Sequence, residues 1–340
     1  VLVLALESSC DETSAGVVRD GREILANVVS SQIDVHARYG GVVPELASRK
    51  HLEAIAVVVQ EALDRAALTA ADLEGICVTR GPGLIGALLV GLSTAKAMAF
   101  ALGIPWVGLH HMEGHILASQ LEQEVSFPFL ALAVSGAHTH IYRVDGIGRY
   151  RTLGCTLDDA AGEAYDKVSK LLGLGYPGGA VIDRLAAEGE PDGLVFPRPL
   201  LHQDNLDFSF SGIKTAVLNH VRHLPVAPGQ DEIRRICAAF QEAVVEVLTA
   251  KSLRALEQTG LQRLVVGGGV ACNKGLRSRL LALAGERNFA VHFPSASLCG
   301  DNAAMLAVAG DFYLGRGCRD GLEVNALAHW NLDSAAFHQD

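Results

Sequence analysis

Charge is scarce in this 340-residue chain, and so are aromatic rings: charged residues make up 19% and aromatics 6%. A disordered chain has the opposite balance. With 49% hydrophobic residues, the sequence reads as a folded, enzyme-like protein long enough for two domains. The seven cysteines (Cys10, Cys77, Cys155, Cys237, Cys272, Cys299 and Cys318) include no CxxC pair. Scattered and odd in number, they read as reduced thiols of a cytoplasmic protein. An excess of positive charge is also missing. Lys and Arg number 28 against 38 Asp and Glu, a net charge of −10, so the chain as a whole does not attract a polyanion. Nucleic-acid contact would then need a partner or a local patch. Arg38, Arg49 and Lys50 form one candidate, and Lys274, Arg277 and Arg279 another; each reads equally well as a solvated helix face. No basic stretch introduces the apolar "VLVLALESSC", which reaches Glu7 after six residues and is expected to be a buried strand, not a signal peptide. The single long apolar run, Gly83 to Ile104, has a membrane helix's length, yet Ser93, Thr94 and Lys96 interrupt it. A helix packed on a sheet, with no membrane anchor, is the expectation.

What is present is a repeat. Strand "LVLALE" (2–7), turn "SSCDET", strand "SAGVVRD" (14–20), an Asp20-Gly21 turn and strand "EILANVVS" (23–30) form one meander. "FLALAV" (129–134), "SGAHT", "HIYRV" (140–144), an Asp145-Gly146 turn and "YRTLGC" (150–155) form another. Helical and strand patterns then alternate after each. The first copy has helix 44–68, strand 75–80, the apolar helix and strand 105–110. The second has a helix over about 231–259, strand 263–270, a helix after Asn273, strand 290–294 and a helix from about Asp301. Two α/β lobes of related topology are expected, with a ligand in the cleft between them. "SSCDET", "RGPGLIG", "VSGAH" and "VVGGGVACN" all follow strands, where backbone N–H groups can hold phosphate. The boundaries expected are 1–110 for lobe one, 111–128 for a connecting helix and 129–325 for lobe two. An insertion at about 157–230 closes over the cleft, and 326–340 form a C-terminal tail.

"LHHMEGHILAS" (109–119) raises a metal question. Four residues apart on a helix, His111 and His115 share a face. A zinc-protease HExxH motif puts its base directly after the first histidine. Here Glu113 follows by two positions, roughly 200° around the helix, and points away. Pseudo-symmetry offers Asp301, at the equivalent strand-to-helix junction of lobe two, as a third ligand across the cleft. Two imidazoles and a carboxylate suit Fe(II) or Zn. A chance pair on a surface helix is the bland alternative.

In order along nearly the whole chain, "ESSCDET", "YGGVVPELASRKH", "GPGLIGALLVG", "HHMEGH", "DDAAGEAYDKVSKLLGLGYPGG", "FSFSGIKT", "GGGVACN" and "GDNAAM" resemble the bacterial tRNA N6-adenosine threonylcarbamoyltransferases. The resemblance implies the actin-like ATPase (ASKHA) fold, with two RNase H-like lobes. It implies an acyltransferase that moves a threonylcarbamoyl group from threonylcarbamoyl-adenylate to the N6 amine of adenosine 37, in tRNAs reading codons that begin with A. It further implies one divalent metal ion, Fe(II) before Zn, on His111, His115 and Asp301. Donor or an ATP-type nucleotide is expected at Ala133, Val134, Ser135, Gly136, Ala137, Asp166, Gly179, Asp183 and Asn273, with Asp11 important for activity. Implied partners are tRNA, a paralogous actin-like subunit of the TsaB type and a small P-loop ATPase of the TsaE type. A homodimer is expected in isolation.

The residue types suit those roles. Asp166 and Asp183 suit ribose hydroxyls, and Asp11 suits a base for the attacking amine. Asn273 suits either the base or a helix cap, and Ser135 and Gly136 either an oxyanion or an ordinary turn. Two positions depart from the family pattern. Ala137 stands where a glycine is usual, costly if φ is positive, and Ala180 stands where a proline is usual. His138 is not taken as a ligand. The rival readings are a metal-dependent glycoprotein endopeptidase, another carbamoyltransferase or a kinase on the same fold, and a non-catalytic nucleotide-binding scaffold. The apolar face of "LEAIAVVVQEAL" (52–63) is a candidate partner surface, with core packing as its ordinary explanation.

Overall fold

The computed structural model describes residues 1–334. They form two compact units. Of these, the first comprises Val1–Ser126, Asp145–Tyr150 and residues 294–334; the second comprises Phe127–Val144 and Arg151–Phe293.

In the first unit, β1 (Leu2–Glu7), β2 (Glu12–Arg19) and β3 (Glu23–Ser31) make the meander that the two Gly- and Ser-containing turns require. A short helix α1 (Ile33–Ala37) and the long α2 (Pro44–Arg65) follow. Then come β4 (Gly75–Gly81), α3 (Ile85–Leu102), β5 (Trp106–His110) and α4 (His111–Leu117). The sheet order is β3-β2-β1-β4-β5, with β1 antiparallel to β2 and parallel to β4. Every residue of β1 is buried, the signature of a central strand covered on both faces. Period-two alternation divides β4 between two layers. Ile76 and Val78 join the core with Val58 of α2 and Leu88 of α3. Gly75 and Cys77 instead lie against Leu314 and Gly310 of the helix over Ala307–Gly315. The apolar run is thus a helix of membrane-spanning length and composition, with Leu88, Val90, Leu92, Ala95 and Ala99 in this core.

The second unit repeats the plan. Its strands β6 (Phe129–Val134), β7 (Thr139–Gly146) and β8 (Arg149–Cys155) precede α5 (Ala161–Leu171), α6 (Gly178–Ala187), α7 (Ser211–His223) and the 30-residue α8 (Gln230–Thr259). Strand β9 (Arg263–Gly267), α9 (Lys274–Arg287) and β10 (Ala290–His292) complete it. The sheet order β10-β9-β6-β7-β8 mirrors the first, again with a meander joined to parallel strands. Helices α5, α6 and α7 fall within residues 157–230.

Chain membership departs from the expected boundaries in three places: the tip of the β7–β8 hairpin (Asp145–Tyr150) belongs to the first unit, as do the segment after β10 and residues 326–334. The segment after β10, read as the end of the second lobe, packs with the first unit. It holds α10 (Ala296–Cys299), a 3-10 turn at Ala304–Leu306 and α11 (Ala307–Gly315). The reason is the apolar face of α11, which covers β1, β4 and β5. The helix expected from Asp301 therefore begins later, and Asp301 stands in the loop before it. Residues 326–334 are likewise packed: Leu327 N–H donates to the Arg80 carbonyl, and the Arg80 guanidinium lies over the Trp330 ring. Residues 335–340 of the expected tail lie outside the described residues.

Candidate functional site

The histidine-bearing helix α4 starts where β5 ends. His110 is its N-cap, with Nδ1 accepting from Met112 N–H. One turn carries His111 and His115 on the same side, their rings edge to face with centroids 4.7 Å apart. Asp301 lies in the loop just before the 3-10 turn Ala304–Leu306. Asn302 Oδ1 accepts Met305 N–H, and Ser14 Oγ accepts Ala303 N–H, so the loop is pinned to β2. Asp301 Oδ1 then lies 3.1 Å from His115 Nε2 and 3.6 Å from His111 Nε2. Ligand atoms about 2.1 Å from a tetrahedral ion are about 3.4 Å apart, so these separations fit one ion. All three ligand atoms lie within 4.8 Å of one another. The three residues gather inside the first unit. The expectation that a second lobe lends Asp301 across a cleft is corrected by the return of the chain to the first unit.

Electrostatics agree with a cation at this point. Burial opposes charge on His111, but Asp301 and Glu7 outweigh it and raise its pKa to about 9. Burial likewise opposes charge on Glu7, and the His111 charge and hydrogen bond hold it below the usual carboxylate range. Glu12 is pushed up to about 10, first by burial and then by the Asp301 and Asp11 charges. Carboxyl groups thus crowd one spot, where a proton on His111 or a divalent ion relieves the repulsion. The buried Nδ1 of His115 has no hydrogen-bond partner among the described residues.

Asp11 belongs to the same unit, in the turn between β1 and β2, and is buried. His51 of α2 clamps that turn: its Nε2 donates to the Cys10 carbonyl at 2.9 Å and its Nδ1 accepts the Thr13 hydroxyl at 2.7 Å. Burial, with the Asp11 charge behind it, pushes the Cys10 thiol far above the usual range, so it is no nucleophile. Glu113, which suggested proteolysis, is fully buried and accepts hydroxyl hydrogen bonds from Tyr150 at 2.6 Å and Tyr313 at 2.9 Å. Burial raises it to about 7. It is a structural acceptor on the face of α4 away from the ligand atoms.

The second unit gathers the remaining expected residues. Ala133 and Val134 are core residues of β6, paired with His140 and Thr139. Ser135 N–H is spent on the His138 carbonyl, and Ser135 Oγ accepts His138 N–H. Gly136 and Ala137 are exposed. Ala137 does not have positive φ, so the methyl group that replaces the usual glycine brings no backbone strain. Two real glycines crowd this turn. A Cβ on Gly162 would meet the Ser135 carbonyl oxygen at 2.6 Å, and one on Gly268, whose φ is +94°, would meet the Val134 carbonyl oxygen at 2.3 Å.

Asp183 accepts Lys274 N–H at the start of α9 and Gln241 Nε2–H at 3.0 Å. Asn273 caps α9 by accepting Leu276 N–H at 2.8 Å, and its Nδ2 donates to Gln241 Oε1 at 2.7 Å. The capping reading of Asn273 is therefore realised. Asp166 accepts Gly178 N–H at 2.7 Å, ordering the turn that carries Gly179, and Ala180 lies in the first turn of α6. In the second basic patch Lys274 and Arg279 are exposed, whereas Arg277 donates to the Ala271 carbonyl and stacks on Phe293. Sequence reasoning missed Gln241, which joins Asp183 to Asn273, and Glu7, which touches His111. Glu7 did carry a signal: a carboxylate ending an otherwise apolar strand. Gln241 carried none.

The sequence profile of the TsaD family, described as tRNA N6-adenosine threonylcarbamoyltransferase, matches residues 23–308. A protein of that name from Syntrophotalea carbinolica is 67% identical over 100% of this chain and 99% of its own. Another from Trichlorobacter lovleyi is 64% identical over 99% and 98%. Among solved structures, component A of the Acidaminococcus fermentans (R)-2-hydroxyglutaryl-CoA dehydratase superposes with a TM-score of 0.57. It is 14% identical and covers 93% of this chain and 99% of that one, a likeness of fold alone. The architecture is that of the actin-like ATPases, and the chain belongs to the tRNA N6-adenosine threonylcarbamoyltransferase family.

Proposed function

We propose that this chain transfers a threonylcarbamoyl group from threonylcarbamoyl-adenylate to the N6 amine of adenosine 37 in tRNAs reading codons that begin with A. The observation that carries the reading is the 67% identity, over the full chain, with a transferase of that name. The amine nitrogen forms a bond to the carbamoyl carbon, the carbon–oxygen bond to the adenylate phosphate breaks, and AMP leaves. The amine's proton goes to Asp11, whose turn His51 holds in place. Backbone N–H groups of Gly136 and Ala137 receive phosphate or the developing oxyanion, because Ser135 has spent its own. Asp166, Gly179, Asp183 and Asn273 line the nucleoside, with Gln241 holding the last two carboxyl and amide groups in register.

His111, His115 and Asp301 hold one divalent ion, iron(II) or zinc, which when bound stabilises negative charge on a carbonyl or phosphate oxygen. Exposed apolar side chains of the first unit, Val29 of β3 and Leu52 and Val57 of α2, supply a surface for an actin-like partner subunit. A small P-loop ATPase completes the assembly, and the work is cytoplasmic because tRNA is the acceptor.

The test is nucleoside mass spectrometry of tRNA after incubation with the chain, its partners and donor, with metal content measured alongside. Product from the unsubstituted chain, with product and metal both lost in His115→Ala and Asp301→Asn, is expected. Unchanged product in both variants would overturn the assignment of the site, and cleavage of a glycoprotein without tRNA product would restore the peptidase reading.

A further inference from the structure

We propose that Glu7 is a positioning residue of the metal centre, whose buried carboxylate fixes the tautomer and ring orientation of His111 so that Nε2 faces the ion. The inference rests on the reading of His111, His115 and Asp301 as ligands. Glu7 ends β1 with no exposed surface. Both of its oxygens are committed to donors: Oε1 accepts Ser9 N–H at 2.6 Å, and Oε2 accepts the Thr79 hydroxyl. Oε2 also lies 3.1 Å from His111 Nδ1. Two donors already on its oxygens, Ser9 N–H and the Thr79 hydroxyl, mark an ionised carboxylate, which can only accept. Nδ1 must therefore carry the hydrogen, which leaves the lone pair on Nε2, the atom 3.6 Å from Asp301 Oδ1.

Ser9 Oγ, 3.2 Å from Nδ1, could not make that choice, since a hydroxyl donates as readily as it accepts. Thr79 stiffens the arrangement from β4, the strand hydrogen-bonded to β1 in parallel. Among the described residues His115 has no such support, its buried Nδ1 having no hydrogen-bond partner there. The centre is thus oriented from one side, through Glu7 and His111. A carboxylate–histidine–metal relay of this kind typically alters metal affinity 10- to 100-fold when its outer member is changed.

The experiment strips metal from the full chain and titrates it with Zn(II) and Co(II). Glu7→Gln is expected to weaken binding by about 10- to 100-fold and to change the visible Co(II) spectrum. Ser9→Ala is expected to bind close to the unsubstituted chain. Because Glu7→Gln can fail to fold, ring-nitrogen NMR of the unsubstituted Zn(II)-loaded chain gives a second reading. It is expected to show His111 metal-bound at Nε2 with Nδ1 still protonated. Ligation through Nδ1 overturns the proposal, as does a folded Glu7→Gln chain with unchanged affinity and spectrum. Those outcomes, together with metal lost in His115→Ala, leave the ligand reading standing. An unsubstituted chain that takes up no metal overturns both.

Discussion

Glu113 and Glu7 are both fully buried carboxyl groups near the same histidines, yet their surroundings give them opposite parts. Glu113 faces two tyrosine hydroxyls, and burial raises it to about 7; Glu7 faces His111 and stays ionised. Glu113→Gln keeps an acceptor for Tyr150 and Tyr313 and removes nothing from the ligand cluster. It is expected to retain metal and tRNA product, measured by elemental analysis and nucleoside mass spectrometry. A chain that lost metal on this change would make Glu113 part of the centre. The residue spacing in "HHMEGH" already pointed this way. What sequence could not show is that Glu7, more than a hundred positions earlier, approaches His111, since that contact exists only once β1 and β5 share a sheet.

At the scale of elements, the turn after β6 depends on close backbone approach. Gly162→Ala would set a methyl group 2.6 Å from the Ser135 carbonyl, with backbone on both sides and no flexible side chain to yield. A cost of about 1–3 kcal/mol is expected from such overpacking. Urea unfolding would measure it, and donor binding should weaken in parallel. The segment "FSFSGIKT" is held by Asp158, which accepts from the Ser209 and Ser211 hydroxyls at 2.6 Å and from Phe210 N–H at 2.8 Å. Burial opposes its charge, but these hydrogen bonds win and keep its pKa below 3.8. The clamp is therefore complete above the unfolded pKa and is lost as pH falls through the lower folded one. Hydrogen exchange at 208–212 should accelerate below about pH 4 before global unfolding, and Asp158→Asn should accelerate it at neutral pH. Exchange unchanged in both cases would remove Asp158 as the clamp.

For the whole molecule, the duplication places one α/β plan in each unit, but the repeats do not carry the same duties. The first brings together the His111, His115 and Asp301 atoms; the second carries the glycine-lined turn and the Asp183–Gln241–Asn273 network. The apolar pattern of α2 divides in the same spirit. Ile55, Val58, Val59, Ala62 and Leu63 fill the core, as the ordinary explanation required, while Leu52 and Val57 remain more than 60% exposed. Val57→Asp is expected to shift stability by no more than about 0.5 kcal/mol. It should also abolish co-elution with the proposed actin-like partner and, with it, tRNA product. Intact co-elution would place the partner elsewhere.

Strand alternation, turn residues and helical spacing act over a few neighbouring positions, so the two meanders, their helices and the shared face of His111 and His115 were determined by local sequence. So was the order of motifs that marks the family. Register across long separations is different in kind. Asp301 was expected at a helix start in the second lobe; the apolar face of α11 instead draws residues after Pro294 back onto the first sheet, with Asp301 in the loop ahead of α11. Only the tertiary structure decided that, and with it the contact of Glu7 with His111 and of Gln241 with Asp183 and Asn273. Burial of apolar surface chooses which distant segments meet, and local pattern does not encode that choice.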